Sequence, residues 1–105
     1  MGRVMDDAAF ARVVIAGFLE DLPVQIAQLK GQVAAGEARQ VEHQAHKLKG
    51  ACANVGGESL SAVAAAIEQA GKAGDLAMVS ARMPQLEAQF EALMSAMKAA
   101  LSRLG

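Results

Sequence analysis

Apolar residues recur along this chain at intervals of three and four, and no stretch alternates between apolar and polar residues. Intervals of three and four place side chains on one face of an α-helix, whereas alternation would indicate a β-strand. The pattern therefore predicts an all-α protein, and the breaks in it divide the chain into five helical segments.

The first two predicted helices occupy the N-terminal third of the chain. One spans residues 6–19 and begins with two acids, which suit the positive end of a helix dipole. The second begins at Pro23, because proline is favoured in the first helical turn, and ends at Gly36. The apolar positions of the second helix are Val24, Ile26, Leu29 and Val33.

The third and fourth predicted helices span residues 37–55 and 59–73, separated by "GGES" at 56–59. Each has a continuous apolar stripe, which indicates one buried face. The third stripe is Val41, Ala45, Leu48, Cys52 and Val55. The fourth is Leu60, Val63, Ala64, Ile67 and Ala70.

The last predicted helix spans residues 76–104 and follows a turn, "GKAGD" at 71–75, in which Asp75 can cap the helix. Pro84 is expected to kink or split this helix. Its stripe is Leu86, Phe90, Leu93, Met97, Ala100 and Leu104. Because short connections make consecutive helices antiparallel neighbours, we expect an antiparallel up-down four-helix bundle with an additional N-terminal helix. Residues 1–105 would form one monomeric domain that uses its apolar stripes internally.

Composition and charge exclude several classes of function. The 105 residues are 53% hydrophobic, only 3% aromatic, and carry a net charge of −1. This balance attracts neither nucleic acid nor anionic lipid, and it offers few rings for stacking bases. No segment is long and apolar enough to span a membrane, and the N-terminus lacks a signal-peptide pattern. One unpaired cysteine fits a reducing compartment, so a cytoplasmic location is predicted.

The segment "HQAHKLKGACANVG" at 43–56 contains the candidate chemistry. His46 lies about 100° around the helix from the core position Ala45, at the edge of the buried face. A second stripe beside the core joins Glu42, His46, Lys49, Gly50 and Ala53. Glycine inside a helix costs about 1 kcal/mol relative to alanine, so Gly50 in an alanine-rich protein calls for a reason.

Phosphoryl transfer accounts for this combination. A neutral imidazole is a good nucleophile near pH 7, and one ring nitrogen can be held while the other attacks. Lys49, three residues on, can reach an anion on the exposed nitrogen. The missing side chain at Gly50 leaves room for that anion and for a partner. From spacing alone, a solvated helix face with a chance histidine remains an alternative.

Metal and nucleotide sites have less support in the sequence. Glu42, His43 and His46 could begin a metal site, but the other helices offer no histidine and no second cysteine. We therefore predict no metal and no cofactor, with Cys52 as a core residue. Neither GxxxxGK[ST] nor GxGxxG is present, so a phosphoryl group would have to come from another protein.

The stretch "AHKLKGACANVG", with Leu60 and the downstream "IEQAGKAGDL", resembles the histidine-containing phosphotransfer (HPt) domains of multistep phosphorelays. The family pattern is roughly AHxLKGxxxxxG. Its matching residues are Ala45, His46, Leu48, Lys49, Gly50 and Gly56. The resemblance implies that His46 is phosphorylated on its outer ring nitrogen, with Lys49 beside the phosphoryl group and Gly50 clearing space. It also implies that Glu68, on the fourth helix, orients the ring of His46.

The same resemblance implies the partner. This would be a response-regulator receiver domain, which carries the acidic pocket, the Mg²⁺ and the aspartate, and a hybrid sensor histidine kinase is a further candidate. Expected docking residues are Glu42, His43, Lys47 and Ala53. The chain would then be a phosphocarrier without kinase activity of its own. A helical interaction module that is not phosphorylated, and a small metal-binding bundle, are the competing hypotheses.

Overall fold

The structure, a computed structural model, describes residues 2–54 and 57–104, with the side chains of 9–53 and 57–104. These residues form four helices, which confirms the predicted all-α class. The helices are α1 (Gly2–Ala34), α2 (Ala38–Asn54), α3 (Glu58–Lys72) and α4 (Leu76–Leu104). The predicted end of a helix at Val55 and the motif residue Gly56 lie outside the described residues.

The prediction of a separate N-terminal helix was wrong, because α1 is one helix that continues through Pro23. Proline in a helix interior costs about 3 kcal/mol. Here Pro23 lies between two buried residues, Leu22 directly before it and Ile26 three residues after it. Burial of each of these side chains contributes about 1.5–3 kcal/mol. Core packing on both sides therefore keeps the helix intact. The uninterrupted helix also buries Leu22 in place of Val24, which is 52% exposed and was wrongly assigned to the core.

Pro84 likewise does not split α4. Its side chain is exposed, and so is Ser80, whose carbonyl oxygen would have accepted the missing hydrogen bond. Water can therefore hydrogen-bond to that carbonyl oxygen. Of the two outcomes predicted for Pro84, division of the helix is excluded.

Glycines and an aspartate define the connections between helices. Gly36 and Gly74 have φ angles of 72° and 74°, a left-handed conformation that glycine adopts without strain. Each follows a helix whose last turn is completed by a backbone bond across five residues, from Glu37 N to Gln32 O and from Asp75 N to Ala70 O. The predicted cap is present at the start of α4, where Met78 N–H donates to Asp75 Oδ1 at 3.0 Å.

The neighbouring helices α1 and α4 are antiparallel, as the predicted bundle requires. Along the α1–α4 pair, Arg12 donates to the carbonyl oxygen of Leu104 at 2.6 Å, and Lys30 forms a 2.7 Å ion pair with Glu87. At 33 and 29 residues, α1 and α4 are about 50 and 43 Å long, whereas α2 and α3 are about 26 and 22 Å. The short pair α2–α3 therefore covers only part of the long pair.

A single buried cluster draws on all four helices. It contains the predicted stripe of α2 up to Cys52 and the whole predicted stripe of α3. Its members are Leu22, Ile26, Leu29, Val41, Ala45, Leu48, Cys52, Leu60, Val63, Ala64, Ile67, Ala70, Val79, Met83, Leu86 and Met97. Burial raises the pKa of the Cys52 thiol to about 11, so this thiol stays protonated and unreactive. Within residues 2–54 and 57–104, no helix is long and apolar enough to cross a membrane.

Candidate functional site

The site lies on the solvent-exposed side of α2, along the edge next to α3. Ala45 is completely buried, and the next residue, His46, has a side chain that is 64% exposed. The imidazole is therefore accessible while its backbone belongs to a helix packed on the core. This arrangement confirms the predicted position of His46 at the edge of the buried face.

Glu68 of α3 joins two side chains of α2. Its Oε2 lies 2.9 Å from His46 Nδ1, and its Oε1 lies 2.9 Å from Lys49 Nζ. Only 14% of the Glu68 side chain is exposed, so both interactions are partly shielded from water. The structure thus brings together three of the predicted site residues, across 22 residues of chain.

The contacts determine the protonation state of Glu68. The Lys49 ammonium, and to a smaller extent the His46 ring, hold the pKa of the Glu68 carboxyl below its ordinary value of 4.5, against the opposing effect of burial. Glu68 is therefore a carboxylate at neutral pH and can only accept hydrogen bonds. The proton between the two groups must then sit on His46 Nδ1, so that in the neutral imidazole Nε2 is the nitrogen with a free lone pair.

Lys49 is held from two directions. Its side chain, 36% exposed, forms the ion pair with Glu68, and its backbone carbonyl oxygen accepts a hydrogen bond from Ser61 Oγ at 3.0 Å. Ser61 lies on α3, so this bond fastens the two helices beside the site. Sequence reasoning missed Ser61, because a serine on an amphipathic helix gives no sign of which backbone group it meets.

Gly50 opens the surface one turn beyond His46. The residue is exposed, and a β-carbon at this position would have no neighbouring atom within 4 Å. Glycine is therefore not required here for close helix packing. This geometry agrees with the expectation of free space beside the ring.

An open depression of about 580 Å³ surrounds His46. It is lined by two predicted site residues and three predicted docking residues, namely His46, Glu68, Glu42, His43 and Lys47. Ala53 is exposed but does not line it. His43 is exposed, as expected. Among the described residues, no group of three or more His, Cys, Asp or Glu side chains is arranged to hold a metal ion.

An all-helical bundle that displays one histidine, anchored by a carboxylate and accessible at its other nitrogen, has the architecture of a phosphocarrier. The family model of the Hpt domain matches residues 13–100. The chain belongs to this family and functions in histidine phosphotransfer within phosphorelays. Members of the family are phosphotransfer carriers and not kinases.

A solved structure supports the same assignment. The crystal structure of histidine-containing phosphotransfer protein B (HptB) from Pseudomonas aeruginosa PAO1 is similar to this chain, with a TM-score of 0.87 and 27% sequence identity. The similarity covers 96% of this chain and 86% of the HptB chain. No curated protein sequence matches the chain. The fold and the family therefore agree.

Proposed function

We propose that His46 accepts a phosphoryl group from the aspartyl phosphate of a receiver domain and passes it on, through Nε2. The observation that carries this proposal is the 2.9 Å contact between His46 Nδ1 and Glu68 Oε2 on a ring that remains 64% exposed. The carboxylate fixes the tautomer and the orientation of the ring. The nucleophilic nitrogen is thereby presented to solvent, and to a partner.

The transfer balances without a separate base. The lone pair of Nε2 attacks phosphorus, the P–O bond of the acyl phosphate breaks, and the partner's aspartate leaves as a carboxylate. His46 keeps its proton on Nδ1 and becomes positively charged as the P–N bond forms. Glu68 accepts the hydrogen bond from Nδ1, so this carboxylate stabilises the charge that develops in the transition state.

Lys49 and Gly50 serve the incoming phosphoryl group. Lys49 lies one turn from His46 on α2, and its ammonium can contact phosphoryl oxygens while it remains near Glu68. The absence of a side chain at Gly50 lets the receiver approach the ring closely. The Mg²⁺ that the family resemblance implies belongs to the receiver, and we propose no cofactor and no nucleotide site on this chain.

The depression around His46 supports docking of a receiver domain. Glu42, His43 and Lys47 line it with mixed charge, which suits a transient and polar complex. We place Ala53 at the edge of the same contact. A hybrid sensor histidine kinase is a further proposed partner, since such a protein can supply a receiver. Because one buried cluster unites all four helices, we treat residues 1–105 as one domain.

Transfer from a receiver that has been phosphorylated with acetyl phosphate tests this assignment. The wild-type protein should acquire an acid-labile phosphate. His46→Gln should abolish labelling with an unchanged helical circular dichroism spectrum, because the side chain is largely outside the core. His43→Gln, three residues away and exposed, is the matched control and should still be labelled. If His46→Gln were labelled, or if only His43→Gln lost its label, His46 would not be the phosphorylated residue. If the wild-type protein were not labelled, the alternative of an unphosphorylated interaction module would be favoured.

A further inference from the structure

Gly71 marks a close backbone approach between α2 and α3. It is buried in the last turn of α3. A β-carbon at this position would lie 3.0 Å from Glu42 N, 3.1 Å from Ala38 O and 3.2 Å from Glu42 Cα. These are backbone atoms of a helix, so they cannot give way as the end of a flexible side chain can. The first two turns of α2 therefore rest directly on the backbone of α3.

This contact lies one turn away from the site on both helices. Gly71 follows Glu68 by three residues on α3, and Glu42 precedes His46 by four residues on α2, so each pair shares a helix face. The spacing between the helices at Gly71 therefore sets how far Glu68 must reach. Ser61 fastens the same two helices on the other side of Glu68, by its bond to the Lys49 carbonyl oxygen.

We propose that Gly71 is a positioning residue for phosphoryl transfer, because its missing side chain sets the α2–α3 spacing at which Glu68 reaches both His46 and Lys49. The proposal rests on the function proposed above. Gly71 does not touch the reacting atoms; it acts through Glu68. Its effect on His46 is transmitted by two rigid helices, for which a change of spacing moves every side chain at the contact.

Other glycines within the described residues lack a backbone contact of this kind beside the site. Gly31 and Gly50 would have no atom within 4 Å of an added β-carbon. Gly57 would meet Leu93 Cδ2 at 2.8 Å, a flexible side-chain atom of α4, together with the carbonyl oxygen of Cys52 at 3.2 Å. Gly57 lies near the α2–α3 connection, whereas Gly71 packs one turn from the His46–Glu68 contact.

Distances decide the size of the expected effect. The added β-carbon would meet backbone atoms of α2 at 3.0–3.2 Å, closer than an ordinary van der Waals contact, so alanine at position 71 requires the helices to separate by a few tenths of an ångström. A leucine requires a larger separation. Misplacement of catalytic groups by about 1 Å can cost about 100-fold in rate. We therefore expect a graded loss of transfer, several-fold for Gly71→Ala and at least tenfold for Gly71→Leu.

The pKa of Glu68 gives a readout that packing alone would not move. Lys49 and His46 hold this pKa below its ordinary value. In Gly71→Ala and more so in Gly71→Leu, the pKa should rise towards 4.5 as both contacts lengthen. Carboxyl ¹³C NMR titration measures it. Gly31→Leu is the matched control, because it adds the same side chain to an open helical glycine and should leave both the pKa and the transfer rate unchanged.

A second control separates positioning from stability. Val79→Ala removes packing at a fully buried position of α4 and lowers the stability of the bundle. The folded Val79→Ala protein should keep the low Glu68 pKa and a near-normal transfer rate. If Val79→Ala raises the Glu68 pKa and slows transfer as the Gly71 variants do, these changes result from lower stability and the proposal is wrong.

Two further results would overturn the proposal. One is a folded Gly71→Ala or Gly71→Leu protein with the wild-type Glu68 pKa and transfer rate. The other is slow transfer with an unchanged Glu68 pKa, which would place Gly71 in partner docking. Failure of the proposed function is distinguishable, since the wild type would then accept no phosphate while the Glu68 pKa still reported the helix spacing.

Discussion

His46 Nδ1 and Glu68 Oε2, which come from different helices, lie 2.9 Å apart, and the carboxylate leaves the other ring nitrogen accessible. Replacing the carboxylate by an amide keeps the shape of the side chain and removes its charge. We expect Glu68→Gln to slow phosphoryl acceptance by tenfold or more, since preorganised electrostatic stabilisation of this kind contributes about 100-fold or more in enzymes. Rapid-quench measurement of transfer from the phosphorylated receiver would check it. Equal rates would mean that Glu68 only supports the fold.

The same substitution should change the dependence of stability on pH. The folded-state pKa of Glu68 is depressed, so in the unfolded chain the carboxyl binds its proton near pH 4.5 and in the folded chain only at lower pH. The contribution of Glu68 is therefore complete above pH 4.5 and is lost as pH falls through the folded pKa. Urea unfolding of wild type and Glu68→Gln between about pH 6 and about pH 3 should give curves that converge at the acid end. A constant difference in stability would contradict this.

Lys49 is the main cause of the low Glu68 pKa. Lys49→Met removes the ammonium and keeps most of the aliphatic stem, so the pKa of Glu68 should rise. Transfer should slow as well, because the phosphoryl oxygens lose a cationic neighbour. Lys47→Met is the control for the pKa: Lys47 is exposed on the same helix, and its loss should leave the Glu68 titration in place. If the Glu68 pKa rose equally in both variants, its low value would result from the general positive charge of α2 and not from the 2.9 Å ion pair with Lys49.

Gly50 allows a test in which stability and activity move in opposite directions. Gly50→Gln replaces an exposed helix-interior glycine, so thermal stability should be kept or raised by up to about 1 kcal/mol. Transfer should fall tenfold or more, because the new side chain enters the space where the receiver meets the ring. Gly31→Gln, at an equally open glycine of α1, should show the gain in stability without the loss of transfer. Lower stability with unchanged transfer would assign Gly50 to packing.

The predicted monomer is tested by sedimentation equilibrium. Among the α1 side chains that the structure describes, those of residues 9–34, the large apolar ones that stay exposed are Phe10, Val13 and Val24. Three side chains fall short of the roughly 600 Å² per partner that a stable interface requires. We therefore expect a mass near 10.8 kDa that does not change with concentration. A mass that doubles at micromolar concentration would show that this face of α1 binds a second copy.

Much of the fold was predictable because each helix carries its own pattern. The stripe of α3 was assigned without error, and the left-handed glycines at 36 and 74 were visible as breaks. Pro23 misled the prediction, because a proline signals the start of a helix in isolation. Whether a helix continues through it depends on burial of Leu22 and Ile26, which is supplied by the other helices.

For the site, the sequence alone determined the residues on the exposed side of α2: His46 at the edge of the core, Lys49 one turn on, and a gap at Gly50. These relations are local, since 3.6 residues per turn place them on one face whatever the rest of the chain does. The family resemblance implied that Glu68 orients His46, but only the tertiary structure decided that the same carboxylate also meets Lys49, at the helix spacing that we assign to Gly71. Distances of this kind depend on how closely two helices pack. The atoms that limit this packing are backbone atoms, and because these are the same in every protein, the sequence gives no sign of where they will meet.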